Sequence, residues 1–250
     1  MFADMHVHTN YSVDGKSTMK EYCQIASQKN ISKICFTEHV DFNSLEYSRW
    51  KFNLDDYFNE LNQMRGKYPE LELLSGIEFS EPHLFPKEFK YMSNLPFDNI
   101  IAAIHHCKNS VFPAPKNLNV EQASQEYWEL MLETVRFGGF QTLTHMDFPR
   151  RYFDYWIYNK NIIDEILETM INKGIVLEIN TSTMFEQCDE PMPTYNIIQR
   201  YCELGGTKIV LGSDAHKNEK LAFNFCKLSS KLPNKLKIGY FVRKEFVELY

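Results

Sequence analysis

His6 and His8 stand two residues apart at the end of an apolar stretch containing Phe2, Met5 and Val7. On a β-strand, side chains two apart share a face, and a rise of roughly 3.3 Å per residue separates their Cα atoms by about 7 Å. Both rings can therefore reach one metal ion. Asp14, backed by Gly15, follows at a turn that can return a carboxylate over the strand end. The same residue types recur after later apolar runs: His39 after 31–36, Glu78 after 71–74, His105 after 99–104, His145 after 140–144, and Asp214 with His216 after 208–211. Imidazole and carboxylate without thiolate suit zinc, manganese or iron better than a structural cysteine-type zinc site. The donors outnumber what one four-coordinate ion needs, so two or three divalent ions are expected.

Those residues need a frame that brings their ends together. Ser17 can cap a helix ending near Asn30, and residues 31–36 then read as a second strand. A helix over about 54–67 precedes the third strand, and 80–97 read as loop with a short helix. Asn119 with Gln122 predicts a capping box on a long helix that stops at Gly138-Gly139. A further helix over 161–173 stops at Gly174, strand six covers 175–179, and a helix after Pro191 and Pro193 runs to Gly205-Gly206. Residues past the seventh strand, 208–211, alternate helix-like patches with short turns. The alternation of strand and helix predicts an α/β fold with a parallel sheet. Six of the eight histidines fall at or near predicted strand ends, the rim where a (β/α) barrel assembles its active site.

The 250 residues carry no linker or low-complexity tract, so one domain over 1–250 is expected. A net charge of −6 argues against a nucleic-acid surface. No apolar run approaches a membrane span. The N-terminal residues lack a signal-peptide pattern, and the six cysteines form no CxxC pair, which together point to the cytoplasm.

As a set, His6-x-His8 with Asp14-Gly15, Thr37-Glu38-His39, Gly76-Ile77-Glu78, Asp98-x6-His105, Thr144-His145-x-Asp147 and Gly212-Ser213-Asp214-Ala215-His216 resemble the motifs of the polymerase and histidinol phosphatase (PHP) family. Ser12-Val13-Asp14-Gly15, Thr37-Glu38-His39-x-Asp41 and Glu178-Ile179-Asn180-Thr181-Ser182 are most similar to its monofunctional histidinol-phosphate phosphatases. The resemblance implies a distorted (βα)7 TIM-like barrel with the metal site at the C-terminal ends of the strands. It implies one ion on His6, His8, Glu78 and Asp214, a second on Glu78, His105 and His145, and a third on Asp14, His39 and His216. Glu78, Asp214 and His216 would then stand closest to the chemistry, with a hydroxide bridging two ions as nucleophile on a phosphomonoester. The leaving alkoxide would take its proton from a coordinated water or from the neighbourhood of His216.

A phosphoryl transition state spreads charge over its oxygens, and a guanidinium can hold two of them. Arg150 and Arg151 are both candidates for that clamp. Asn180 ends strand six and could bond a coordinated water or phosphate. His106 sits beside His105 but faces the other way, as a substrate-side or packing group, while Asp147 reads as a loop cap or a group supporting the ligands and His83 as an ordinary loop histidine. Thr183 departs from the glycine common after Asn-Thr-Ser in these phosphatases, which puts the shape of that loop in question. Aromatic loops at 42–52 and 148–158, with Asp41, Glu46 and Asp154, suit a cationic amino-alcohol phosphate such as histidinol phosphate. Other substrates within the same chemistry are nucleotides, oligonucleotide ends and phosphotyrosyl protein. An amidohydrolase fits less well, because a late strand lysine is missing. A metal-stabilised interaction module would bind ions and turn over no ester.

Overall fold

The computed structural model describes residues 2–29, 31–44, 52–107, 110–111, 119–153, 155–184 and 188–249. Seven parallel strands follow one another round the sheet: β1 (Phe2–Val7), β2 (Ile31–Val40), β3 (Glu72–Ser80), β4 (Asn99–Ala103), β5 (Thr142–Leu143), β6 (Val176–Asn180) and β7 (Lys208–Gly212). The helices between them are α1 (Met19–Ala26), α2 (Leu54–Lys67), α3 (Pro86–Ser93), α4 (Val120–Phe137), α5 (Lys160–Lys173) and α6 (Tyr195–Glu203), followed by the short α7 (Phe225–Ser229). The sheet curls until β7 meets β1. Val7 pairs with Ala215, Asp214 donates its N–H to His6 O at 2.9 Å, and His8 donates to Ala215 O at 2.9 Å.

A hairpin of β8 (Lys237–Val242) and β9 (Glu245–Glu248) extends the sheet beyond β7. The sequence reading has only helical patches and turns there. The alternation of Ile238, Tyr240 and Val242 with Gly239 and Phe241 is short and carries few charges, so it is easily passed over. Phe241 is buried in a small inner cluster with Ala3, Met5, Cys35, Leu74, Val176 and Val210. That apolar floor lies on the inner face of the curled sheet, and the larger cluster under the helices, including Trp128, Met131, Ile166 and Met170, covers the outer face.

Local signals set the helix starts. Asn119 Oδ1 accepts the N–H groups of Glu121 and Gln122, although Gln122 turns to Glu126 rather than back to the cap. At α1 the cap is Thr18, not Ser17: Thr18 N donates to Glu21 Oε2 at 2.7 Å, and Glu21 N donates to Thr18 Oγ1. Ser17 instead binds Asn218. Gly174 closes α5 in the left-handed region.

In β1 the register slips between Asp4 and Val7, three steps facing two on β2. A bulge of this kind re-aims side chains. Ala3 and Met5 face the inner floor, Val7 packs with the outer cluster, and His6 and His8 are released to the interior above the floor. Unbroken alternation from Met5 would have sent both histidines outward.

Candidate metal centre

Above the floor, the inner positions of β2, β3 and β6 continue as His39, Glu78 and Glu178, and the segments after β4, β5 and β7 add His105, His145 and Asp214. Glu78 lies at the centre. Its Oε1 is 2.8 Å from His145 Nε2 and 3.3 Å from His105 Nε2; its Oε2 is 3.1 Å from His39 Nδ1 and 3.4 Å from both His6 Nε2 and His8 Nε2. Asp214 Oδ1 is 3.4 Å from His8 Nε2 and 3.7 Å from His6 Nε2. Asp14 reaches His216 Nε2 at 3.2 Å and His39 Nε2 at 3.6 Å. All nine expected donors are brought to one cluster. Four trios within it have donor atoms within 4.8 Å of one another: His6, His8 and Asp214; Glu78, His105 and His145; His8, His39 and His216; and His39, Asp41 and His105.

Outer partners decide which ring nitrogen each histidine presents. Glu178 Oε1 can only accept, so His6 donates Nδ1–H to it at 2.7 Å and turns Nε2 inward. Ser12 spends its proton on Glu38 Oε2 at 2.6 Å and so accepts from His8 Nδ1 at 3.2 Å. His216 Nδ1 donates to the Asp214 carbonyl at 3.0 Å. Ser80 Oγ holds His105 Nδ1 at 2.8 Å. The inward Nε2 lone pairs of His6 and His8 consequently face each other at 2.9 Å. Two lone pairs at that distance repel unless a cation or proton lies between them, so the donor set fits a divalent ion.

The charges carry the same message. Burial pushes the Glu78 carboxyl up, but His6, His105 and His39 outweigh it and hold it well below the usual carboxylate range. Asp214 is likewise depressed against burial by His6 and His8, and Asp14 by His216 and His39. Burial lowers the His6 imidazole, yet Glu178, Glu78 and Asp214 raise it well above its ordinary value. His39 and His105 are raised by Glu78, and His216 by Asp14, each against burial. His145 is the exception: burial lowers it despite Glu78. An ion would take the place of the protons these rings hold.

The strand ends are also locally unusual. His145 and Asp214 have φ values of 22° and 53°, in the region that non-glycine residues rarely adopt. Hydrogen bonds hold both: His145 N–H donates to Glu178 Oε2 at 3.1 Å and Asp214 N–H to His6 O. Gly212 is required by close approach, because a Cβ there would lie 1.9 Å from Glu178 Oε1.

The substrate-side expectations divide. Arg151 donates to Ser182 Oγ at 2.6 Å, and Ser182 lies 3.5 Å from Asp214 Oδ2, which places Arg151 at the rim of the cluster. Its guanidinium covers the Phe148 ring at 4.9 Å, and Phe148 packs on His145 and His105. Arg150 turns away. It binds Asp147 Oδ2 at 3.1 Å, Thr183 Oγ1 at 3.3 Å and the carbonyls of Glu190 and Pro191. That engagement corrects its reading as a phosphate clamp, and it gives Thr183 a loop-fastening part. Asn180 is also used internally, donating to Glu178 Oε2 at 3.2 Å and accepting from Ser182 Oγ at 2.6 Å. His106 is buried with Nδ1 2.9 Å from Glu81 Oε1, so it is a packing group rather than a substrate-side one. Asp147 precedes the short turn 148–151 without capping it by its side chain, and instead accepts from Arg150, Tyr158 and Thr194 behind the cluster. Glu46, Tyr47, Trp50 and Asp154 lie outside the described residues.

Glu178, Glu38, Ser12 and the ligand-like position of Asp41 were not assigned from sequence. Glu178 could have been found, since it is two before Asn180 on the same strand face.

A family model described as the PHP domain matches residues 4–182. This chain belongs to the PHP family. The PHP chain is 31% identical to a probable histidinol-phosphatase of Clostridium acetobutylicum over 242 residues, covering 90% of each. It is 28% identical to the histidinol-phosphatase of Lactococcus lactis, over 85% of this chain and 83% of that one. A crystal structure of histidinol phosphate phosphatase from L. lactis, complexed with zinc, L-histidinol and phosphate, superposes with a TM-score of 0.89 at 25% identity, covering 99% of both chains. The expected α/β fold of the PHP family is therefore the fold of this chain.

Proposed function

We infer that this PHP protein is a metal-dependent phosphatase that hydrolyses L-histidinol phosphate to L-histidinol and phosphate. One observation carries the chemistry: five imidazoles, those of His6, His8, His39, His105 and His145, surround the Glu78 carboxylate within 3.4 Å. The substrate rests on likeness to the curated histidinol-phosphatases and to the L. lactis complex with its zinc, L-histidinol and phosphate.

His6, His8, Glu78 and Asp214 would hold one ion, Glu78, His105 and His145 a second, and Asp14, His39 and His216 a third. Zinc is the ion favoured by this donor set, with manganese and iron as alternatives. Bound divalent ions supply an acidified water and offset charge on phosphoryl oxygens. The chain's own residues do the rest. Arg151 reaches the rim beside Asp214 and can hold the non-bridging oxygens as charge develops on them. Phe148, stacked under Arg151 and against His145 and His105, keeps water from that side of the cluster. We assign the reaction to histidine biosynthesis and place it in the cytoplasm, where the six cysteines, all free among the described residues, would remain reduced. No helix among the described residues is long and apolar enough to cross a membrane.

The test is phosphate release by zinc- or manganese-loaded protein on L-histidinol phosphate, an aryl phosphate, a phosphotyrosyl peptide and short oligonucleotides. Strong preference for histidinol phosphate, lost in His8→Ala, is the expected result. Equal weak rates on every ester would remove the substrate assignment and leave a general phosphoesterase.

A further inference from the structure

Glu178 is fully buried between β5, β6 and β7, and it is outside the set of expected metal donors. Its two oxygens have different work. Oε1 faces His6 Nδ1 at 2.7 Å. Oε2 receives three donors: the N–H of His145 at 3.1 Å, Asn180 Nδ2 at 3.2 Å and the Thr144 hydroxyl. Thr144 Oγ1, its proton spent on Glu178, also lies 3.1 Å from His6 Nδ1 and faces it as a second acceptor. Gly212 leaves the space in which Oε1 sits.

We propose that Glu178 is a positioning residue that couples two metal sites, setting the His6 tautomer for one and holding the backbone turn of His145 for the other. The inference rests on the reading of His6 and His145 as ligands. Donors and acceptors around Glu178 must balance. A carboxylate accepts on both oxygens, so it can satisfy the three donors on one side and still take His6 Nδ1–H on the other. Only then does His6 present a bare Nε2 to an ion.

An isosteric carboxamide cannot do both. In Glu178→Gln the amide oxygen goes to the side with three donors, and the NH2 group faces His6 Nδ1. His6 must then accept at Nδ1 and carry its proton on Nε2, where an ion would otherwise bind. If the amide turned the other way, the His145 N–H would lose its acceptor at a residue with positive φ, and the second site would loosen. Either way one ion is weakened, while the Asp14, His39 and His216 group keeps its own partners.

The experiment measures zinc stoichiometry and affinity of the parent and Glu178→Gln by chelator competition, with histidine ¹⁵N NMR of the zinc-loaded proteins. In the parent, His6 should carry its proton on Nδ1. In the variant, one zinc should bind about 10- to 100-fold more weakly, with the other sites near parental. A parental fold by circular dichroism separates this from misfolding. If the variant misfolds, the parent spectrum decides alone, since a proton on His6 Nε2 there sinks the proposal. Parental zinc affinity in a folded variant sinks it equally. A parent that binds no zinc would instead remove the metal-centre reading itself.

Discussion

Arg151 donates to Ser182 Oγ at 2.6 Å, and through Ser182 it stands beside the Asp214 carboxylate, while its neighbour Arg150 is spent on Asp147 and on backbone carbonyls. Two adjacent arginines thus have separate tasks. Arg151 is the one we propose for an incoming anion, and Arg150 fastens the segment after β5 to Thr183, Glu190 and Pro191.

Arg151→Ala should lower kcat/KM on L-histidinol phosphate by about 10²-fold with little change in thermal stability. Arg150→Ala should do the reverse, costing about 3 kcal/mol because the buried Asp147 loses its cation. Steady-state kinetics and urea titration of the two variants distinguish these outcomes; equal kinetic losses would mean that both contact phosphate.

Zinc binding should release protons at pH 7. Without an ion, His6, His39, His105 and His216 have raised pKa values and hold protons that the ion must displace. Affinity therefore falls as pH falls, since more protons compete for the same nitrogens. Titration calorimetry in buffers of different ionisation enthalpy reads the number directly. A heat independent of buffer would show that the rings are already neutral.

His83 supplies a pH effect away from the centre. Burial, with help from His106, lowers its pKa to about 4, and its Nδ1 is 2.8 Å from Thr134 Oγ1. The unfolded chain takes up this proton near pH 6.5 and the folded chain only near 4. Stability is thus unaffected above 6.5 and falls as pH drops between those values, by roughly 1–3 kcal/mol. Denaturant titrations from pH 7 to 4 should show a flatter decline in His83→Gln than in the parent.

Asp98 belongs to the motif spacing that pointed to His105, yet it works at the opposite end of the sheet. Its carboxylate accepts from Ser75 N and Oγ, Arg65 and the N–H of Arg243 in the β8–β9 turn. Asp98→Ala should cost about 2–4 kcal/mol through those lost bonds and leave kcat unchanged at a temperature where the variant is folded. A large fall in kcat in the folded variant would overturn this division.

Much of the centre was legible because donor type and strand spacing are local properties. Period-two alternation put His6 and His8 on one strand face, and apolar runs located the rim. The hairpin was not legible, because its role depends on filling a floor left by Ala3, Met5, Leu74 and Val210. Neither was the choice between the two arginines, which differ only in what faces them after folding.

By itself the sequence determined the parallel α/β alternation and the imidazole–carboxylate chemistry at the strand ends, since both follow from residue type and from spacings of a few residues. Tertiary structure decided the rest. The bulge in β1 that turns His6 and His8 inward is a mismatch between two strands, not a property of either. The tautomer of His6 is set by a carboxylate 172 residues away. Such pairings exist only once the sheet has closed, because a buried polar group takes its state from the partners the fold delivers to it.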